Sequence, residues 1–277
     1  MAGPIRKAAV AGSWYAGDPA RLAEEVEGHL AAAAVQPPPG RLVGLISPHA
    51  GLRYSGPVAA HGYALLRGRS KLTVVLVGPS HRVAFDGVAA WPRGGFETPL
   101  GTVPIDEELA AELLTADRSI LDEPGVHRAE HSLEMQLPFL QHLVPGLAIV
   151  PLMMGSQSRE EVDALADALS SVLARRPALL VASSDLSHYH PAPVANALDA
   201  RVVEDVRALD AEGLMRRLEA SHEHACGGGP MVAVMKSARA LGADRAHVLR
   251  YADSGDAGER DKSHVVGYLS AALVAGA

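Results

Sequence analysis

A chain of 277 residues with 48% apolar, 21% charged and only 4% aromatic side chains is globular in composition, and at this size roughly 75% of the unfolded surface can be buried without a disulfide or metal to make the core. A formal net charge of −7 and no dense Lys/Arg run argue against a nucleic-acid partner, which wants a basic patch. The single cysteine allows no internal disulfide and fits a reducing, cytoplasmic setting; the apolar stretch after Met1-Ala-Gly-Pro-Ile-Arg-Lys is too short for a signal peptide, and no run approaches about 18 apolar residues, so no membrane span is expected.

Helical and strand patterns alternate along the chain. Asp18 as N-cap with Pro19 behind it opens a helix to about residue 34. Gln36-Pro-Pro-Pro-Gly40 is a short stiff connector. An apolar strand follows at 42–47, then a helix at 56–67 and a second strand at 72–77. Residues 83–104 read as an antiparallel excursion near the site, with short strands at 88–91, 94–98 and 102–105 punctuated by Pro and Gly. Helices are expected at 106–115 and 130–143, the latter with an apolar stripe of Leu133, Leu137 and Leu140. A strand at 147–153, a helix at 160–175 and a strand at 178–182 come next. Helices at 193–209, 212–218 and 231–241 lead to closing strands at 246–252 and 265–272, the last of which could also be helical. Repeated β–α alternation with near-continuous apolar strands implies helices on both faces of a buried sheet. Residues 1–277 therefore read as one α/β domain, a three-layer α/β/α sandwich around a mixed, largely buried central sheet.

Three of the apolar strands run into a histidine where the chain turns. The first reaches Ser47-Pro48-His49, the second Gly78-Pro79-Ser80-His81, and the third Ser183-Ser184-Asp185-Leu186-Ser187-His188. Ligands of open α/β sheets gather outside the carboxyl ends of the strands, so three such ends point to one site assembled from distant sequence. Pro48 keeps the residue before it extended and Gly51 permits a sharp turn. Taken singly, His49 and His81 are ordinary hydrogen-bonded loop histidines, and Asp185 is a turn cap. Taken together, they are candidate metal ligands, with His188 a ligand or general base and Asp185 a ligand or the group that orients His188.

Cys226 precedes Gly227-Gly-Gly-Pro230 and a helical run. It is either a small buried hydrophobe or, at a helix N-terminus that favours thiolate, a ligand or nucleophile. A phosphatase loop would need Arg six positions on, where Val232 stands. His131 and Glu134, spaced i, i+3, share a face if the segment is helical and form either a solvated face or a site wall. Trp14, Tyr15 and Tyr54 are core or pocket lining. His61, His190, His222 and His224 are background, although His222-x-His224 could make a competing local metal clip.

These segments together resemble the Memo (mediator of cell motility) family, called AmmeMemoRadiSam system protein B in bacteria. The matching stretches are Ala11-Gly-Ser-Trp-Tyr15, Ser47-Pro-His-Ala-Gly51, Gly78-Pro-Ser-His81, Glu130-His-Ser-Leu-Glu-Met-Gln-Leu-Pro138, Ser183-Ser-Asp-Leu-Ser-His188 and Cys226-Gly. They occur in the family's order across most of the chain. The resemblance implies a fold similar to class III extradiol dioxygenases and a mononuclear metal held by His49, His81 and Cys226. Cys226 stands where those dioxygenases place a carboxylate, and soft sulfur shifts the preference toward copper, zinc or thiolate-ligated iron.

The expectation is thus a cytoplasmic metalloprotein with an iron(II) or copper centre and oxidoreductase, dioxygenase-like chemistry. His188 would be the acid/base, with Asp185 beside it. A small-molecule or peptide ligand would occupy the cleft, and the resemblance implies a functional link to a radical-SAM protein. Two other readings stay open: a non-catalytic peptide- or protein-binding module using the same cleft, and a zinc-dependent hydrolase with zinc polarising water.

Overall fold

The computed structural model describes residues 3–221, 223–257 and 261–276. The elements in chain order are β1 (Ile5–Arg6), α1 (Pro19–Ala32), β2 (Arg41–Ser47), α2 (Leu52–Tyr63), β3 (Thr73–Pro79), β4 (Val88–Ala90), β5 (Gly95–Thr98), β6 (Gly101–Pro104) and α3 (Glu107–Ala116). They continue with β7 (Ile120–Asp122), α4 (Leu137–Leu143), β8 (Ala148–Met154), α5 (Arg159–Leu173), β9 (Leu179–Ser183) and β10 (His188–His190). The chain closes with α6 (Ala192–Arg207), α7 (Ala211–Ala220), α8 (Gly228–Ala240), β11 (Arg245–Asp253) and β12 (Val265–Ala275). The last element is a strand, which resolves the ambiguity left by its sequence.

A nine-stranded mixed sheet runs β10-β12-β2-β9-β3-β8-β4-β7, with β11 also pairing β12. Its centre is parallel: β2 pairs β9, β9 pairs β3 and β3 pairs β8. Antiparallel β12 and β4 flank that centre. The central strands are buried along nearly their whole length, as a sheet covered on both faces requires. One helical group is α1, α2 and α4; another is α3, α5, α7 and α8, with α8 lying over β2, β3 and β9. This is a single three-layer α/β/α domain. Only part of the 83–104 segment leaves the main sheet: β4 joins it beside β8, whereas β5 and β6 form a small second sheet with β1.

Two helices begin elsewhere than their sequences suggest. α2 starts at Leu52, ahead of the Gly56-Pro57 pair that reads as a helix start, and carries Pro57 inside it. Gly56 is there for packing: a Cβ on it would sit 2.7 Å from the His29 ring of α1. The expected helix over 130–143 is helical only from Leu137, preceded by a 3₁₀ turn at Glu134–Gln136. The Glu130 carboxylate takes the backbone N–H groups of His131 and Ser132, and this side-chain competition holds 130–133 out of a helix. His131 and Glu134 consequently do not share a helical face.

Candidate metal centre

The parallel arrangement of β2, β9 and β3 brings the three motifs together. Ser47 stands opposite Ser183 and Val77 opposite Ala182, so the strands end side by side. Each chain then turns within a few residues, delivering His49, Asp185 and His81 to one rim. Cys226 arrives from the α7–α8 connection. Its successor Gly227 lies so close to the end of β9 that a Cβ there would meet the Ser183 carbonyl oxygen at 2.4 Å. A side chain at 227 would lift the cysteine loop off the strand ends.

One ligand atom from each of His49, His81 and Cys226 lies within 4.8 Å of the others. The Cys226 thiol sits 3.2 Å from His49 Nε2 and 3.6 Å from the Asp185 carbonyl oxygen, which also accepts from the Cys226 backbone N–H at 3.2 Å. His49 and His81 meet edge to face with ring centroids 5.2 Å apart. His131 stacks on His81 at 4.6 Å and touches Trp14 at 4.2 Å. The donor set of two imidazoles and one thiol suits a soft to borderline transition metal.

His81, Glu130 and His131 form a second group of possible ligands, but hydrogen bonding argues against a metal there. Glu130 Oε1 already accepts from His81 Nδ1 at 2.9 Å and from the N–H groups of His131 and Ser132, and Oε2 takes the His81 backbone N–H at 2.6 Å. That carboxylate is saturated. It serves instead to fix His81: Nδ1 must carry the proton, leaving Nε2 as the nitrogen that can ligate, the carboxylate–histidine arrangement found behind many metal sites.

Electrostatics suit the same role. Burial, helped by the neighbouring His81 and His131 rings, holds the His49 imidazole well below the ordinary histidine range. Burial likewise brings His131 down to about 4. Both are neutral at neutral pH, which for His49 is what metal ligation requires. Burial by itself would raise the Glu130 carboxyl, yet the hydrogen bonds and charge of His81 outweigh it and hold the group well below the usual carboxylate range. Burial, with Asp185 nearby, pushes the Cys226 thiol up, so without a cation it stays protonated. A bound cation would draw that proton off.

Asp185 has a different position from the one expected. It does not reach His188. Its Oδ1 accepts the His49 backbone N–H at 2.7 Å, so it pins the turn that presents His49, and burial raises its carboxyl to about 7. His188 Nδ1 instead donates to the Leu186 carbonyl at 2.8 Å. That bond, and not Asp185, fixes the His188 tautomer and leaves Nε2 as the acceptor.

A cavity of about 750 Å³ opens over the histidines of the cluster, with Trp14, His49, Tyr54, His81, His131, Asp185 and His188 in its wall; Cys226 borders a separate cavity beside Gln157 and Met215. Tyr15 and Glu134 are not in that wall. Both are buried, and they bind each other: the Tyr15 hydroxyl donates to Glu134 Oε1 at 2.5 Å, while the Arg6 guanidinium pairs with Glu134 Oε2. Trp14, next to Tyr15, faces the cavity, whereas Tyr15 and Glu134 turn toward Arg6 of β1. His224 has its Nδ1 buried without a hydrogen-bond partner, His61 and His190 do not border the cavity, and His222, half of the supposed metal clip, lies outside the described residues.

Sequence reasoning overlooked Glu130 and Ser183 as supports of the site. Glu130 stood in a quoted motif, yet its partner His81 is 49 positions away, and no local spacing signals that contact. Tyr189, at the cavity mouth, was also passed over. It is 70% exposed and has a φ of +62°, a conformation that costs a bulky residue free energy and collects at functional sites.

The Memo-like protein family model matches residues 6–272. A MEMO1 family protein of Methanothermobacter thermautotrophicus is 39% identical over 274 residues, covering 95% of this chain and 98% of the relative. A MEMO1 family protein of Sulfolobus acidocaldarius is 38% identical over 281 residues, covering 96% and 98%. Among solved structures, an uncharacterised protein of Escherichia coli K12 matches with a TM-score of 0.54 at 14% identity, over 84% of this chain and 100% of that one; this likeness concerns the fold alone. By model, identity and coverage, the chain belongs to the Memo family.

Proposed function

We propose that His49, His81 and Cys226 hold one iron(II) or copper ion and that the protein is a non-haem oxidoreductase. The observation that carries this reading is the gathering of two imidazoles and a thiol from three separate loops within 4.8 Å. A bound iron or copper ion supplies exchange of electrons with dioxygen or an organic substrate. The chain's own residues do the rest. Glu130 holds His81 in the ligating tautomer. Asp185 fixes the backbone of the His49 turn. His188 presents Nε2 as a proton acceptor on the cavity wall, and a proton moved there would account for roughly 10²–10⁴-fold of rate. The cavity falls in the size range of small-molecule sites, which favours a small ligand over a docked protein. On the family resemblance, the protein would work in one pathway with a radical-SAM protein, in a reducing cytoplasm.

The test is metal content of anaerobically purified protein together with the spectrum of its Fe(II)–nitric oxide adduct. The expected result is close to one iron or copper per chain, and an adduct signal that Cys226→Ser changes. Stoichiometric zinc with no adduct would replace this reading with that of a zinc hydrolase. Absence of any tightly held metal would leave a binding module.

A further inference from the structure

Behind His49 lies a buried chain of polar groups whose proton positions are forced by two backbone carbonyls. The Gln136 amide faces the Pro48 carbonyl oxygen at 3.1 Å. A carbonyl only accepts, so that side of the amide is its NH₂, and the Tyr63 hydroxyl donates to the opposite atom, Oε1, at 2.5 Å. The second amide hydrogen goes to Ser183 Oγ at 2.8 Å, the nearer acceptor, since the Ser132 carbonyl lies 3.4 Å from the same nitrogen. The Ser183 hydroxyl has one proton, and the Ser132 carbonyl takes it at 2.7 Å. Ser183 Oγ therefore offers only a lone pair to its remaining neighbour, His49 Nδ1, at 2.9 Å. Ser183, Gln136 and His49 are all buried, so water does not compete for these bonds.

We propose that Ser183, held by Gln136 and the Ser132 carbonyl, is a positioning residue that locks His49 in the Nδ1–H form and so points the Nε2 lone pair at the metal position beside Cys226. The proposal rests on the metal reading above for its purpose, but the lock itself is a property of the metal-free protein. It has a structural logic. Ser183 is the last residue of β9, paired with β2 and neighbouring β3, so one hydroxyl ties the central strand to the loop of one ligand and to the 130–136 segment that carries the support of the other. With the Leu186 carbonyl behind His188 and Glu130 behind His81, each of the three imidazoles then has its Nδ1 proton fixed from the protein side. A misplaced proton on Nε2 would block ligation until the ring exchanged it.

The experiment reads the tautomer directly. Full-length protein labelled with ¹⁵N in its histidine rings and stripped of metal is examined near neutral pH by long-range proton–nitrogen correlation, with His49 assigned by His49→Gln. The expected spectrum has a protonated Nδ1 and an unprotonated Nε2 for His49. Ser183→Ala should convert this to a tautomer mixture and weaken zinc binding, measured against a chromophoric chelator, by roughly 10–100-fold. Ser183→Thr, which keeps the hydroxyl, should restore both. A protonated Nε2 in the unaltered protein overturns the proposal, as does Ser183→Ala that keeps both tautomer and zinc affinity. If Ser183→Ala does not fold, Gln136→Met decides: it should weaken zinc binding several-fold, and unchanged affinity overturns the lock. If the unaltered protein binds no zinc, the metal reading falls while the tautomer result still judges the lock.

Discussion

Glu130 and Glu134 lie one helical turn apart in sequence and are both almost wholly buried, at 2% and 0% exposure, yet they belong to different parts of the molecule. Glu130 spends its lone pairs on N–H groups of the site: His81 twice, His131 and Ser132. Glu134 spends its lone pairs on the N-terminal segment: Arg6, the backbone of Ala9 and Val10, and the Tyr15 hydroxyl. A buried carboxylate is tolerable only where donors or a cation replace its water. Those donors, rather than the carboxylate, decide what it does. One acid shapes a histidine of the candidate metal centre, and the other fastens β1 and the Trp14-Tyr15 turn onto the core.

The sharpest separation of the two should come from Glu134→Ala. It leaves the Arg6 guanidinium buried without its counter-charge, a change that typically costs about 3–5 kcal/mol, and it also removes the acceptor of two backbone N–H groups. Urea unfolding should show that loss. A cost under about 1 kcal/mol would mean that the N-terminal segment is not fastened in this way. Glu130→Gln acts on the other side of the comparison. Metal affinity should fall by roughly 10–100-fold, because His81 loses the partner that fixes its tautomer. If Glu130→Gln lowers stability while leaving metal affinity untouched, the distinction between the two acids collapses.

A smaller and pH-dependent effect belongs to Asp185. Its carboxyl is raised to about 7 in the folded protein, against about 3.9 in an unfolded chain. Between these values the folded state binds the extra proton, so stability falls as pH rises through that window. Asp185→Asn removes the titration. In metal-free protein the variant should gain on the parent in urea midpoint between pH 5 and pH 8. A constant difference across that range would show that burial does not govern this carboxyl. The least effect on the fold should come from Tyr189→Gly, which relieves the positive φ and should leave stability equal or raise it by about 1 kcal/mol in thermal unfolding; a clear loss would mean that the exposed ring packs on something that matters to the fold.

The contrast between the two glutamates also marks where sequence reading succeeds and where it stops. His49, His81 and Asp185 were legible because apolar strands that end in polar turns have their carboxyl ends on one side when they are parallel neighbours, as β2, β9 and β3 are. Gly227, next to Cys226, makes the kind of close backbone approach that a glycine run permits. The direction in which a side chain leaves an irregular segment is not legible. The stripe of Leu133, Leu137 and Leu140 fits a helix over 130–143, but side-chain hydrogen bonds hold 130–133 out of one, so the shared face expected of His131 and Glu134 does not exist. Trp14 and Tyr15 carry the same two alternatives in the sequence, core or pocket lining, and the structure divides them: Trp14 faces the cavity and Tyr15 is buried against Glu134. Asp185 was linked to His188 by spacing, while the structure joins it to the His49 turn.

The proposed centre holds its metal by a thiol and two histidines, with His188 beside them as a proton acceptor and not a ligand. Elemental analysis of anaerobically prepared Cys226→Ala and His188→Ala tests it most directly. Cys226→Ala should retain only a small fraction of the metal, whereas His188→Ala should retain most of it. Full retention in Cys226→Ala with loss in His188→Ala would contradict the assignment and point to a histidine-rich zinc site in its place.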